Sequence, residues 1–254
     1  MKRWFFVISF LFLYSISTAQ NKETITQVST IDALLLGVYD GQTTIGELKT
    51  YGDFGIGTFN TLDGEMVVVD NKCYQIKSDG TINEAADTTK TPFSAVAFFN
   101  ESNHIQLKEQ TNFKTLENLI DSLIPTKNIF YGIKIKGKFK TLRARSVAKQ
   151  SRPYRPLTEV VKSQSEFNFE DVEGVLVGFR CPPYVKGVNV PGYHLHFLNN
   201  DKKSGGHVLG FEIKEAELYL EEYSDFRMLL PDDKDFYNAD LSHDQEQQLK
   251  KVEK

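Results

Sequence analysis

Gly192-Tyr193-His194-Leu195-His196-Phe197-Leu198 runs through a polar segment, Asn199 to Gly206, into His207-Val208-Leu209-Gly210-Phe211-Glu212-Ile213. Two apolar, aromatic-rich runs joined by a polar stretch ending in Gly205-Gly206 predict a β-hairpin. Strand side chains alternate between faces, so His194 and His196 share one. A hairpin closing symmetrically over its loop sets His207 opposite His196. Three of the five histidines in the chain then occupy one patch. A strand pair has little structural use for three imidazoles on one face, and the spacing H-x-H-x10-H suits a three-histidine metal site. Three neutral imidazoles on a divalent ion leave a coordination position open, the mark of a catalytic site. Such an ion acts as a Lewis acid or activates water. A cupin would need a glutamate soon after the second histidine, and 198–203 contains none. His104 and His243 sit in polar surroundings and read as surface residues.

Outward from the hairpin, the N-terminus begins with basic Met1-Lys2-Arg3 and an apolar run from Trp4 to Ile16. Ser17-Thr18-Ala19 follows with small residues at the −3 and −1 positions of a cleavage site. This is the pattern of a cleaved export signal spanning 1–19, and it predicts a periplasmic or secreted protein. No later segment is apolar enough to span a membrane. A net charge of −4 gives no reason to expect a nucleic-acid partner. Cys73 and Cys181 show neither metal nor redox spacing, and could pair or stay as buried thiols.

Short helices are expected after Ile31 and after Thr44, the latter with Glu47 three residues on from a threonine N-cap. Gly52 to Phe59 carries glycine at alternate positions, which in a strand marks close backbone approach. Leu62-Asp63-Gly64-Glu65 is a turn signal leading into the strand Met66 to Asp70. Further strands are read at Cys73–Lys77, Thr91–Phe99 and Gly174–Arg180. Leu116, Leu119, Ile120 and Leu123 lie at helical spacing and stop before Pro125. Asn128 to Val147 alternates as one strand, with Lys134, Lys136 and Lys138 on a wet face. Glu215 to Leu220 fits strand or helix, and Pro231 to Lys254 has the composition of a helical or frayed tail. Lys149 to Leu157, with Pro153 and Pro156, is the candidate linker. The fold class is α+β: an N-terminal α/β lobe, 20–150, and a β-rich C-terminal lobe, 151–254, carrying the metal hairpin.

Four segments together resemble bacterial α-acetolactate decarboxylase: Gly52-Asp53-Phe54-Gly55-Ile56-Gly57-Thr58-Phe59, Leu62-Asp63-Gly64-Glu65-Met66, Leu142-Arg143-Ala144-Arg145-Ser146-Val147, and Gly192-Tyr193-His194-Leu195-His196-Phe197. They occur in the family's order from about Ile31 to the C-terminus. The resemblance implies two lobes with mixed sheets, a homodimer, and a zinc ion held by His194, His196 and His207, with another divalent metal possible. It implies decarboxylation of (S)-2-acetolactate to (R)-acetoin and CO2. It also implies Glu65 and Glu253 as acid and base, Arg145 binding the anionic substrate, and Thr58 as a further pocket residue.

Those residue types suit the chemistry. Losing CO2 from a 2-hydroxy-3-keto acid leaves electrons on the neighbouring ketone, and a cation and a guanidinium both stabilise that charge. A protonated carboxyl on one face then fixes the configuration. Two alternatives stand: a related metal-dependent keto-acid lyase or isomerase, and an exported metal- or ligand-binding protein. Metal binding alone requires neither Glu65 nor Arg145, which disfavours the second.

Overall fold

The structure is a computed structural model that describes residues 23–102, 104–108 and 111–253. The export signal expected at 1–19 lies outside the described residues. In chain order the elements begin with β1 (Thr24–Val28), α1 (Ile31–Leu35), α2 (Ile45–Leu48), β2 (Phe54–Thr58), β3 (Glu65–Val69), β4 (Lys72–Ile76), β5 (Ile82–Glu84) and β6 (Ser94–Ala97). They continue with β7 (His104–Leu107), α3 (Phe113–Leu123), β8 (Phe130–Ser146), α4 (Leu157–Val160), β9 (Ser165–Cys181) and β10 (Gly192–Asn199). The last four are β11 (Gly205–Tyr223), β12 (Asp225–Leu229), α5 (Lys234–Asn238) and α6 (Glu246–Val252). The α+β class holds, with strands dominant.

Two sheets result. The first has the order β12-β1-β6-β2-β3-β4-β5, and the second β10-β9-β8-β11-β7. In the second, β10 pairs with β9 and also with β11, so β8 to β11 close into a ring. Ile133, Ile135, Phe139, Leu176, Leu195 and Phe197 belong to one buried cluster of this sheet. Phe54, Ile56, Val67 and Val69 of the first sheet join Val175, Val177 and Phe179 of the second in another. Burial of this kind is worth about 1.5–3 kcal/mol per large side chain and welds the sheets into one body.

The glycine alternation in β2 reflects strand crowding. A Cβ on Gly55 would lie 2.2 Å from the Ala95 carbonyl oxygen of β6. Thr44 caps α2 as expected, accepting a hydrogen bond from the Glu47 amide. Asn112 and Thr115 form a reciprocal capping box on α3.

Three sequence expectations need correction. The boundary at 150/151 does not divide the sheets, because β8 lies between β9 and β11 and β12 pairs in parallel with β1. The linker at Lys149–Leu157 is tied down: the Gln150 amide donates to the Thr61 carbonyl, and Tyr39 donates to the Arg155 carbonyl. Lys134 is buried rather than wet, because Asp70 and Glu101 reach it at 2.9 and 2.5 Å. Glu215–Leu220 continues β11 as strand, and both cysteines are free and buried.

Candidate metal centre and active site

The hairpin is formed by β10 and β11, and His196 does face His207 across it. On its other edge β11 sets His207 directly opposite Arg145 of β8. His196, His207 and Arg145 are therefore a row of cross-strand neighbours over three strands, with side chains on one face. His194, two residues before His196, shares that face. The facing nitrogens converge: His194 Nε2 lies 3.1 Å from His207 Nδ1 and 3.2 Å from His196 Nε2. His196 Nδ1 sits 2.8 Å from the Met66 carbonyl oxygen of β3. A carbonyl only accepts, so this contact places the proton on Nδ1 and leaves the Nε2 lone pair for a ligand.

The first sheet supplies the opposite wall. Thr58 ends β2 and Glu65 opens β3, and the two are paired across the strands. Their connection is tight: Thr61, Leu62 and Gly64 have φ of 64°, 56° and 89°. Any Cβ at Gly64 would fall 2.3 Å from the Ile76 carbonyl oxygen, so glycine is required there. The Thr58 hydroxyl donates to the Gly64 carbonyl at 2.7 Å and braces the turn. Glu65 Oε1 accepts from Arg145 Nη1 at 2.8 Å, and Oε2 lies 3.6 Å from His196 Nε2. Arg145 also donates through Nη2 to the Val252 carbonyl at 3.2 Å, whereas its buried Nε has no hydrogen-bond partner among the described residues.

The tail closes the site. Leu249 and Val252 of α6 pack beside Ile31, Leu34 and Leu157, and the helix ends at Glu253 with Oε2 3.7 Å from His207 Nε2. Thr58, Glu65, Arg145, the three histidines and Glu253 all line one cavity of about 40 Å³, whose remaining wall is apolar.

This set of groups can be compared with known proteins. The sequence model of the family described as Alpha-acetolactate decarboxylase matches residues 25–243. The chain belongs to this family. It is 49% identical over 232 residues to a Methanosarcina mazei protein named Alpha-acetolactate decarboxylase, covering 91% of this chain and 81% of that one. A crystal structure of alpha-acetolactate decarboxylase from Bacillus subtilis strain 168 superimposes with a TM-score of 0.88 at 39% identity, covering 91% of this chain and 99% of that one. A Staphylococcus aureus protein of unknown function, described as similar to the same enzyme, gives a TM-score of 0.85 at 28% identity, over 90% and 98% of the two chains.

Electrostatics in this family member favour a cation. Burial holds His194 down to about 3 and pushes His196 and His207 well below their ordinary value, with the Arg145 charge adding to the effect. All three are therefore neutral donors at physiological pH. Ligand nitrogens on a tetrahedral zinc ion would be about 3.3 Å apart, close to the observed 3.1 and 3.2 Å. The facing nitrogens of all three lie within 4.8 Å of one another, so the residues present fit a metal ion. Burial raises Glu65 and Glu253 to about 7, against the pull of Arg145 on each.

Some contributors left no mark in the sequence reading. The Met66 and Val252 carbonyls act through the backbone, which no residue identity reports. Thr91 holds the Thr58 carbonyl at 2.8 Å. Leu62, Phe93 and Val147 form part of the apolar wall; of these, only Leu62 and Val147, within the quoted motifs, carried a signal that could have been used.

Proposed function

We propose that this chain decarboxylates 2-acetolactate to acetoin and CO2. The observation that carries the proposal is the convergence of three imidazoles, a buried guanidinium and two carboxyls raised to about 7 on one small apolar-walled cavity. A divalent ion held by His194, His196 and His207, for which we propose zinc, would supply Lewis-acid stabilisation of the negative charge that develops as CO2 leaves.

The chain's own residues do the rest. Arg145 is permanently charged, and its Nε–H, without a partner among the described residues, is the donor left over for an anionic ligand. Glu65 is committed to Arg145 and holds the guanidinium fork in place. Glu253 makes no hydrogen bond to Arg145 and, raised to about 7, keeps a proton available near neutral pH. It is the better placed of the pair to protonate the carbon after CO2 departs, with Glu65 as its base counterpart. The apolar wall and small volume exclude bulk water, so the proton comes from one direction and one acetoin enantiomer results, for which the family resemblance implies (R).

Substituting His196→Ala tests this reading. Metal content and acetoin formation should disappear together, and full turnover in a metal-free variant would overturn it. Export and self-association belong to the same proposal: the mature protein should begin at Gln20 outside the cytoplasm and run as a homodimer in light scattering.

A further inference from the structure

The inner cavity, about 40 Å³, has room for only a few waters, too little for a five-carbon keto acid. Something must open. On one side the chamber is sealed by Leu249 and Val252 of α6 against α1 and α4, all buried apolar contacts. The other side differs. The pairing of β10 with β11 stops at His196 opposite His207. Beyond it the strands part, and the register of β11 on β8 shifts between Val208 and Gly210. The gap between the parted strands is a groove of about 330 Å³, walled on its outer side by Phe113 and Lys114 of α3. Tyr193, His194, His207 and Glu253 line it as well.

His194, His207 and Glu253 are thus shared by groove and chamber and form the partition between them. The two histidines are set in the sheet. Glu253 caps the C-terminal end of α6 with its side chain 18% exposed. The groove's outer wall is firmly built: the Tyr193 hydroxyl donates to Asp121 Oδ1 at 2.7 Å, and buried Arg180 donates to the Lys127 carbonyl at 2.6 Å just beyond α3.

We propose that the groove between α3 and the parted ends of β10 and β11 is the substrate and product passage, opened by rotation of the Glu253 side chain. This rests on the decarboxylase reading for the identity of the substrate, though not for the existence of the passage. Opening the α6 side would strip buried helix contacts, whereas opening the groove side moves one partly exposed carboxyl.

The test uses Lys114, which is 76% exposed at the rim. Lys114→Cys in the zinc-loaded full chain is labelled with a bulky maleimide or with a methylthio group. Lys203→Cys, 79% exposed on the hairpin loop, is the remote control. The native thiols do not interfere, since Cys73 and Cys181 are buried and pushed up to about 12. The bulky label at position 114 should lower kcat/KM for acetolactate and the rate of zinc removal by EDTA by roughly tenfold or more. The small label should do much less, and labels at position 203 nothing. Unchanged turnover and unchanged zinc release with the bulky label at 114 would overturn the passage. Absence of turnover in the unsubstituted protein would count against the decarboxylase reading instead, and zinc release would still judge the groove.

Discussion

Arg145 and Glu65 meet between the two sheets, Nη1 of the first on β8 2.8 Å from Oε1 of the second on β3, with side-chain exposures of 5% and 7%. Residues from opposite sheets are fixed to each other at the place where chemistry is proposed. Breaking one partner strands a buried charge. Glu65→Ala should destabilise the protein by about 3–5 kcal/mol, and Arg145→Ala by a comparable amount. Because the pair is coupled, the double variant should cost clearly less than the sum. Urea denaturation of all four proteins measures this, and additive losses would show that the contact carries no energy.

Stability of the metal-free protein should peak near pH 6.5. The histidine pKa values are lowered on folding, His194 to about 3 from 6.5, so unfolding takes up protons below 6.5 and acid destabilises. Glu65 and Glu253 run the other way, raised from 4.5 to about 7, so between those values unfolding releases protons and acid stabilises. Three imidazoles outweigh two carboxyls. Near pH 5.5 unfolding therefore takes up protons on balance, and stability should fall as the pH is lowered further. Denaturant titrations of chelated protein across pH 5 to 7.5 check the sign.

Glu253→Gln keeps the shape of the side chain and removes its proton chemistry. Turnover should fall about 10²-fold or more, with metal content and unfolding midpoint nearly unchanged. Normal turnover in this variant would remove Glu253 from the proton-transfer role.

Thr58 acts through the turn that aims Glu65. Thr58→Val should cost about 1 kcal/mol by removing the donor to the Gly64 carbonyl, and should lower turnover as Glu65 loosens. Thr58→Ser should restore both. Equal activity in the valine and serine variants would limit Thr58 to lining the wall.

The hairpin was legible because a period of two and a loop of known length fix which histidines face each other. Tight turns were legible for a similar reason: Gly64 has no alternative at φ 89°. What escaped was structure whose residues look like surface. The first half of β9 alternates, with Phe167 and Phe169 among polar neighbours, but Asp171 at φ 47° interrupts the pattern. β12 is a partly exposed edge strand, and its parallel pairing with β1 joins residues about 200 positions apart, Thr24 opposite Asp225. Lys134 misled because its two acidic partners arrive from outside its own strand. In the tail, Leu249 and Val252 were the sole apolar marks of a helix that completes the site.

The central claim is decarboxylation with controlled protonation in this cavity. Purified protein should be given racemic 2-acetolactate, and the acetoin formed resolved on a chiral column. The account predicts rapid consumption of the (S) enantiomer, (R)-acetoin as product, and loss of the reaction in EDTA. Acetoin formed no faster than without protein, or formed as a racemate, would contradict it.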